Sequence, residues 1–490
     1  MTATRIDPFA PVTAMLRALR SGVISSKELL DLHLQRIERY NARLNAIVET
    51  DFDNARRGAE AADAARARGE QAALLGLPLT LKESMNVRGL RTTVGVETWA
   101  GFRSEHDGAI AQHVRAAGGV LMGKTNVPPF LMDWHADNPV YGRTNNPWDL
   151  ERTPGGSTGG GAAALAAGLT PLEYGSDIGG SIRVPAAWCG LYGHKPSETA
   201  VPRSGQFPVP PMPNSATAMG VQGPLARSAE DLETALDVIC GPEVGEDTAW
   251  RLEFPAARHE RLNEFRVAVL PAIPWLPVDA EILAAQERLI GQLGRAGAIV
   301  REAQPESFGD LRKHQETYQS LLAAITTVTQ TAEQRHQAAE GLRKAAAEDA
   351  FVAAQVRGLE ASAADYILLH EERERVRAAY RSFFRDWDVL LCPITLVPAL
   401  KHIDPSSSFG QRRIEVNGKE VPYGHQVAYP AVATLAGQPA TAFPAGFTRS
   451  GLPIGLQAIG PYLEDRTPIR FVTLLEREFG GFRRPVGYDD

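Results

Sequence analysis

The sequence predicts an α/β protein whose sheet carries helices on both faces. From about residue 77 to 240, short apolar runs alternate with helices built from small residues. Two more strand candidates return near the end of the chain, at 389–391 before Cys392-Pro393 and at 440–443 before Pro444. Between these regions lies a long stretch, about 275–385, rich in Ala, Gln, Glu and Arg. Strand-like runs that alternate with helical ones favour a sheet buried on both sides.

Residues 1–72 read as a helical N-terminal region. Ser25 and Glu28 form an S-x-x-E capping box, and Leu30, Leu34 and Ile37 follow at helical spacing. A second stretch, 53–69, has the composition of an exposed helix that Gly69 ends. Within a core at 73–240, residues 77–81 and 119–122 read as strands, with a helix at 106–117 between them. Residues 162–167 read as a short Ala-rich helix that starts directly from a Gly/Ser loop. The 275–385 stretch predicts a helical cap or lateral layer, its charge runs being solvated faces. Residues 395–430, with many Pro, Ser and Gly, predict a long loop region, and 386–475 returns the chain to the core sheet. The 490 residues read as one domain.

Composition narrows the function. With 44% apolar and 22% charged residues the chain is an ordinary globular one. Its formal charge of −7 offers no basic field for nucleic acid or anionic lipid. Apolar runs fall short of the ~20 residues a membrane span needs, and the start, M-T-A-T-R-I-D-P-F-A, lacks the apolar core of a secretory signal. Cys189, Cys240 and Cys392 show no C-x-x-C spacing and read as small buried residues in a reducing compartment. A cytoplasmic protein is expected.

Two Gly/Ser-rich loops carry the chemistry: T-P-G-G-S-T-G-G-G (153–161) and G-S-D-I-G-G-S-I-R (175–183). Without Cβ atoms, such loops let backbone N–H groups approach a reacting atom, and each loop adds a serine hydroxyl. Upstream, G-L-P-L-T-L-K-E (76–83) supplies Lys82. Two serines and a lysine suggest acyl transfer without histidine. Other motifs compete. G-G-V-L-M-G-K-T (118–125) matches a phosphate loop formally, but a helix precedes it, V-L-M looks like the strand itself, and Pro128-Pro129 opposes a following helix. G-G-S-T-G (155–159) matches a nucleophile elbow, yet the polar, proline-bearing N-N-P-W-D-L-E-R-T-P before it is a poor strand. By chain order His402 or His425 could complete a Ser-His-Asp triad, so that reading stays open. No H-E-x-x-H occurs and the eleven histidines form no ligand-like cluster, so no metal and no cofactor are expected. His194 reads as a satisfied structural histidine.

Taken together, the three loops resemble the amidase signature family. The resemblance runs from S-S-K-E-L-L near Ser25 to F-P-A-G-F-T-R-S-G-L-P-I-G-L-Q at 443–457. It includes G-K-T-N (123–126), Y-G-R-T-N-N-P-W (141–148) and R-V-P-A-A-W-C-G (183–190). It implies that family's fold, a central mixed, twisted sheet between helices. It also implies a Ser–cisSer–Lys triad of Ser181 as nucleophile, Ser157 as the cis serine and Lys82 as base. The oxyanion hole would be the backbone N–H groups of Ile178, Gly179, Gly180 and Ser181. By the same resemblance Leu131, Met132, Asp133 and Trp134 line the pocket; the 310–385 helices and the 395–430 loop are expected to close it. Thr158 and Glu83 stand where the family commonly has serine and aspartate.

The chemistry is coherent beside the resemblance. A serine hydroxyl needs a base to take its proton, and Lys82 is a base only when neutral, which an apolar setting of Leu77, Leu79 and Leu81 favours. Glu83 next door would be the partner of a merely ion-paired lysine. The expected reaction is cleavage of small-molecule carboxamides to acid plus ammonia or amine, with an aryl or apolar acyl part. Esters and carbamates are alternatives, as is the A subunit of glutamyl-tRNA amidotransferase. That subunit typically has a Met-Gly-Ser-Ser-like run where this chain has F-L-M-D-W-H-A-D-N-P (130–139). A non-catalytic binding module would have no use for Lys82, Ser157 and Ser181 together. The only partners expected are the small amide substrate and, compatibly, a second copy in a homodimer.

Overall fold

The computed structural model describes residues 6–208, 218–243, 245–346, 349–404, 407 and 409–489. The N-terminal region holds α1 (Val12–Arg20), α2 (Ser26–Leu44) and α3 (Phe52–Ala67), but it is not all helix: β1 (Ile47–Thr50) lies between α2 and α3. Ser25 caps α2 as expected, its hydroxyl accepting from Glu28 N–H at 3.1 Å while Glu28 accepts from Ser25 N–H at 2.8 Å. Helical spacing ends at Leu44, and Asn45 turns left-handed (φ 50°) to release the strand. The sequence contains no period-2 run long enough to announce β1. Its place comes from pairing with β3.

The core begins with β2 (Pro78–Lys82), α4 (Ala109–Ala116) and β3 (Val120–Thr125). Thus the phosphate-loop-like motif is the strand β3. After the short pair β4 (Asp137–Asn138) and β5 (Gly142–Arg143) come α5 (Gly159–Ala166), β6 (Glu173–Asp177), α6 (Arg183–Cys189), β7 (Tyr192–Lys195), β8 (Val221–Ala226) and α7 (Ala229–Ile239). The 275–385 stretch is less uniform than its composition implied. β9 (Arg266–Val269) precedes it, and within it α8 (Ala280–Arg295) is followed by a strand, β10 (Ile299–Glu302). The helices α9 (Arg312–Thr326), α10 (Ala332–Ala346), α11 (Ala350–Leu359) and α12 (Ala363–Phe383) complete it. Next are β11 (Val389–Pro393) and, in the expected loop region, a hairpin of β12 (Arg413–Val416) and β13 (Lys419–Pro422). The chain closes with α13 (Ala428–Thr434), β14 (Ala440–Phe447), β15 (Pro453–Ile459) and α14 (Arg466–Phe479).

One 11-stranded sheet runs β1-β3-β2-β6-β8-β7-β14-β15-β11-β9-β10. It is mixed. β2 is parallel to both β3 and β6, β9 is parallel to β10 and β11, and the strands between pair antiparallel. Every residue of β2, β3, β6, β8, β11 and β15 is buried. Successive side chains point to opposite faces, so unbroken burial means that both faces are covered. Leu77, Leu79 and Leu81 show no exposure at all. Truncating one such leucine to alanine typically costs about 2–5 kcal/mol. Among the described residues no helix is long and apolar enough to cross a membrane.

Candidate active site

Lys82 ends β2, and Ser176 and Asp177 end the adjacent parallel strand β6, in register through Thr80–Glu173 and Leu81–Tyr174. Chemistry-bearing residues therefore project from the carboxyl edge of neighbouring parallel strands, where open α/β sheets place ligands. G-S-D (175–177), read as loop from its glycine, belongs to that strand. Ser157 arrives from the loop that feeds α5. The Gly156–Ser157 peptide is cis, and a Cβ on Gly156 would fall 2.5 Å from the carbonyl oxygen of Asp133, so only glycine fits. Thr158 N–H donates to the Ser181 carbonyl at 3.2 Å and ties the two Gly/Ser loops together.

The Lys82 ammonium position is fully buried. Nζ lies 2.7 Å from Ser157 Oγ, 2.9 Å from Ser176 Oγ and 3.4 Å from the Ser176 carbonyl. Desolvation lowers its pKa from 10.5 to about 7, against the pull of Asp177 and Glu173. Glu83 is not its partner: that carboxylate accepts from the N–H groups of Thr93 and Val94 and from the Tyr141 hydroxyl. Burial lifts Glu173 to about 8, although it accepts from Thr125 and Thr80. Burial also works against the Asp177 carboxylate, but the charge and hydrogen bonds of Arg183 prevail and hold it at about 2. The guanidinium meets it at 3.0 Å (Nε) and 2.9 Å (Nη2).

Asp177 also organises the expected oxyanion loop, and here one expectation is corrected. Gly180 N–H donates to Asp177 Oδ1 at 2.9 Å, so this amide is already engaged rather than open to substrate. The amides of Ile178, Gly179 and Ser181 donate to no acceptor among the described residues. Ser181 Oγ likewise makes no hydrogen bond there, and the residue is 6% exposed.

The pocket residues divide. Trp134 is buried, donates from Nε1 to the Gly179 carbonyl at 3.1 Å and packs on Tyr423 and Phe409, with ring centroids at 5.2 and 6.0 Å. Asp133 contributes no free charge. Burial acts to raise its pKa, but His135, Tyr423 and Arg412 lower it below the usual carboxylate range. Its carboxylate accepts from the Tyr423 hydroxyl at 2.7 Å and pairs with Arg412. Met132 is 49% exposed, and Leu131 beside it is half-buried on a short turn.

Tyr318 of α9 reaches the same loop, its hydroxyl donating to the Ile178 carbonyl at 2.9 Å. Sequence reasoning missed Ser176, the Asp177–Arg183 pair and Tyr318. The first three stand inside the quoted motif, but nothing local separates a lysine-binding serine from a turn serine. The alternatives based on histidine find no geometry. His402 binds the Leu150 carbonyl, His425 pairs with Asp349, and among the described residues no strand leads directly into Gly155. His194 is satisfied by Thr441 and Asp465. Lys124 of the phosphate-loop-like motif binds the Arg91 carbonyl and Thr92 Oγ1. Two surface cavities, about 300 and 540 Å³, lie beside α8 and α12 and include none of Lys82, Ser157 or Ser181.

The family described as Amidase matches residues 28–468. A component of the glutamyl-tRNA(Gln) amidotransferase of Synechococcus sp. (strain CC9902) is 31% identical over 481 residues, covering 93% of each chain. Indoleacetamide hydrolase of Bradyrhizobium diazoefficiens is 32% identical over 457 residues, covering 91% of this chain and 82% of that one. The solved structure of 6-aminohexanoate cyclic dimer hydrolase superposes with a TM-score of 0.78 at 26% identity, covering 98% and 99% of the two chains. Fold and relatives together define a hydrolase of carbon–nitrogen bonds other than peptide bonds. The chain belongs to the amidase signature family.

Proposed function

We propose that this amidase works alone, without a partner protein, and cleaves small aryl or apolar carboxamides through an acyl-enzyme on Ser181. Neutral Lys82 takes the Ser157 proton as Ser157 takes that of Ser181, since a hydroxyl both donates and accepts. Ser181 Oγ adds to the carbonyl carbon, and the oxyanion is met by the amides of Ile178, Gly179 and Ser181. The proton returns through Ser157 to the leaving nitrogen, the C–N bond breaks, and water releases the acid by the same relay. The observation that carries this reading is the buried Lys82 Nζ, 2.7 Å from Ser157 Oγ and with a pKa lowered to about 7 by its surroundings. The missing Ser157–Ser181 hydrogen bond is compatible with it, because catalytic hydrogen bonds in empty sites often tighten only with substrate.

The aromatic group of Trp134, Tyr423 and Phe409 supports an aryl or apolar acyl portion. So does the indole-bearing amide in the name of one relative. Esters and carbamates would react by the same steps. On this reading the whole chain is one catalytic domain built on its single large sheet, working in the cytoplasm. The amidotransferase relatives favour a second reading, in which the chain works as one subunit of an amidotransferase complex. The test treats the purified chain with a sulfonyl fluoride, maps the adduct by mass spectrometry, and assays p-nitroacetanilide without any partner. Labelling of Ser181 with turnover supports the proposal. Labelling of Ser157 refutes the triad, and labelling without turnover on any amide screened favours the second reading.

A further inference from the structure

The oxyanion loop is held by two side-chain donors acting on consecutive carbonyls. Tyr318 Oη donates to Ile178 O at 2.9 Å, and Trp134 Nε1 donates to Gly179 O at 3.1 Å. Both peptides are trans, the only cis bond among the described residues being Gly156–Ser157. Across a trans peptide the carbonyl and the following N–H point in opposite directions. A donor that fixes Ile178 O therefore fixes the direction of Gly179 N–H, one of the amides that lacks an acceptor. The next peptide is pinned at both ends, by Trp134 on its oxygen and by Asp177 on the Gly180 amide. The Ile178–Gly179 peptide is held at its oxygen alone.

Tyr318 is built for that contact. It is fully buried, and a Cβ added to Gly179 would stand 3.4 Å from its hydroxyl, so the phenol lies against the loop. Its helix is seated by Gln315 Nε2, which donates to the Ala428 carbonyl at 2.8 Å, whereas the neighbouring Thr317 hydroxyl donates to Glu372 at 2.9 Å and makes no hydrogen bond to the oxyanion loop. Burial drives the phenol pKa far above its ordinary value, so it stays a donor across the working pH range.

We propose that Tyr318 is a positioning residue for transition-state stabilisation, aiming Gly179 N–H at the oxyanion through the Ile178 carbonyl. The helical layer outside the Gly/Ser core then supports catalysis through the loop it holds. The inference rests on Ser181 being the nucleophile.

The experiment compares wild type, Tyr318→Phe and Thr317→Val for p-nitroacetanilide kinetics, phenylboronic acid inhibition, pH profile and thermal midpoint. Phenylboronic acid forms a tetrahedral adduct on a serine nucleophile and so reports the oxyanion hole. Tyr318→Phe should lower kcat about tenfold to a hundredfold, less than the ~10²–10³ that deleting an oxyanion donor outright costs. KM and the pH midpoint should hold, while phenylboronic acid affinity falls by the same factor as kcat/KM. Thr317→Val should match wild type. Unchanged kcat, a fall in kcat without loss of boronate affinity, or an equal fall in Thr317→Val would each overturn the inference. Tyr318→Leu, which also lacks the donor, must show the same boronate loss if Tyr318→Phe does not fold. Should sulfonyl fluoride fail to label wild-type Ser181, the nucleophile assignment itself falls, a result separate from all of these.

Discussion

Replacing Lys82 by methionine should make the folded protein more stable at neutral pH while abolishing turnover. Lys82 is wholly buried and its pKa is lowered from 10.5 to about 7, chiefly by desolvation. At ~1.36 kcal/mol per pH unit, holding such a group in the fold at pH 7 costs about 4 kcal/mol. Methionine has similar length and no charge, but it forfeits the bonds to Ser157 and Ser176, each worth about 1 kcal/mol. The net expected gain is about 2 kcal/mol. Its pH dependence is the sharper test. The unfolded chain keeps the lysine proton up to its ordinary 10.5, whereas the folded chain releases it above about 7. Wild-type stability therefore rises across that window, and the advantage of Lys82→Met should shrink by about 2 kcal/mol between pH 7 and pH 9. Urea unfolding read by pulse proteolysis at both pH values measures this. A variant less stable than wild type at pH 7, or a difference that ignores pH, would refute the argument that desolvation sets the Lys82 pKa.

The same lysine predicts that kcat/KM rises about tenfold from pH 6 to pH 8 and then levels, as a single base loses its proton; a flat profile counts against it. Ser181→Ala and Lys82→Ala should each cut amide turnover by about 10³-fold or more with the fold intact, and Ser157→Ala should also impair it, as steady-state kinetics and circular dichroism would show. Ser176→Ala removes one of the Lys82 partners and should lower kcat by about tenfold while sulfonyl fluoride still labels Ser181. Asp177→Asn leaves Arg183 buried without its counter-charge and should cost about 3–5 kcal/mol, visible as a lower unfolding midpoint. In wild type the Asp177 contribution is present above pH 3.8 and is lost as pH falls through about 2, so acid titration of stability should show it.

Much of the candidate site was legible because the residues of each of its segments lie close together in sequence. Glycines that admit close backbone approach sit beside the serines they serve, and the apolar run around Lys82 is contiguous in sequence. Strand and helix identities in the core were legible for a similar reason, since the apolar runs at 77–81, 389–391 and 440–443 are short, bounded and strand-like. The misses are of another kind. β1 and β10 are four-residue strands whose existence depends on a neighbour, β3 or β9, far along the chain. Composition alone assigned both to helical regions.

What the sequence by itself determined is the set of candidate reactive groups and the conformational freedom around them: Lys82, Ser157, Ser181 and the glycines between them. What only the tertiary structure decided is how those groups are wired. It put Ser176 rather than Glu83 beside Lys82, engaged the Gly180 amide with Asp177, paired the Asp133 carboxylate with Arg412 and the Tyr423 hydroxyl, and brought Tyr318 onto the Ile178 carbonyl. The physical reason is range. Backbone freedom is a property of a few consecutive residues, whereas a hydrogen-bond partner, a desolvated charge and a shifted pKa depend on whatever distant segment folds over the site.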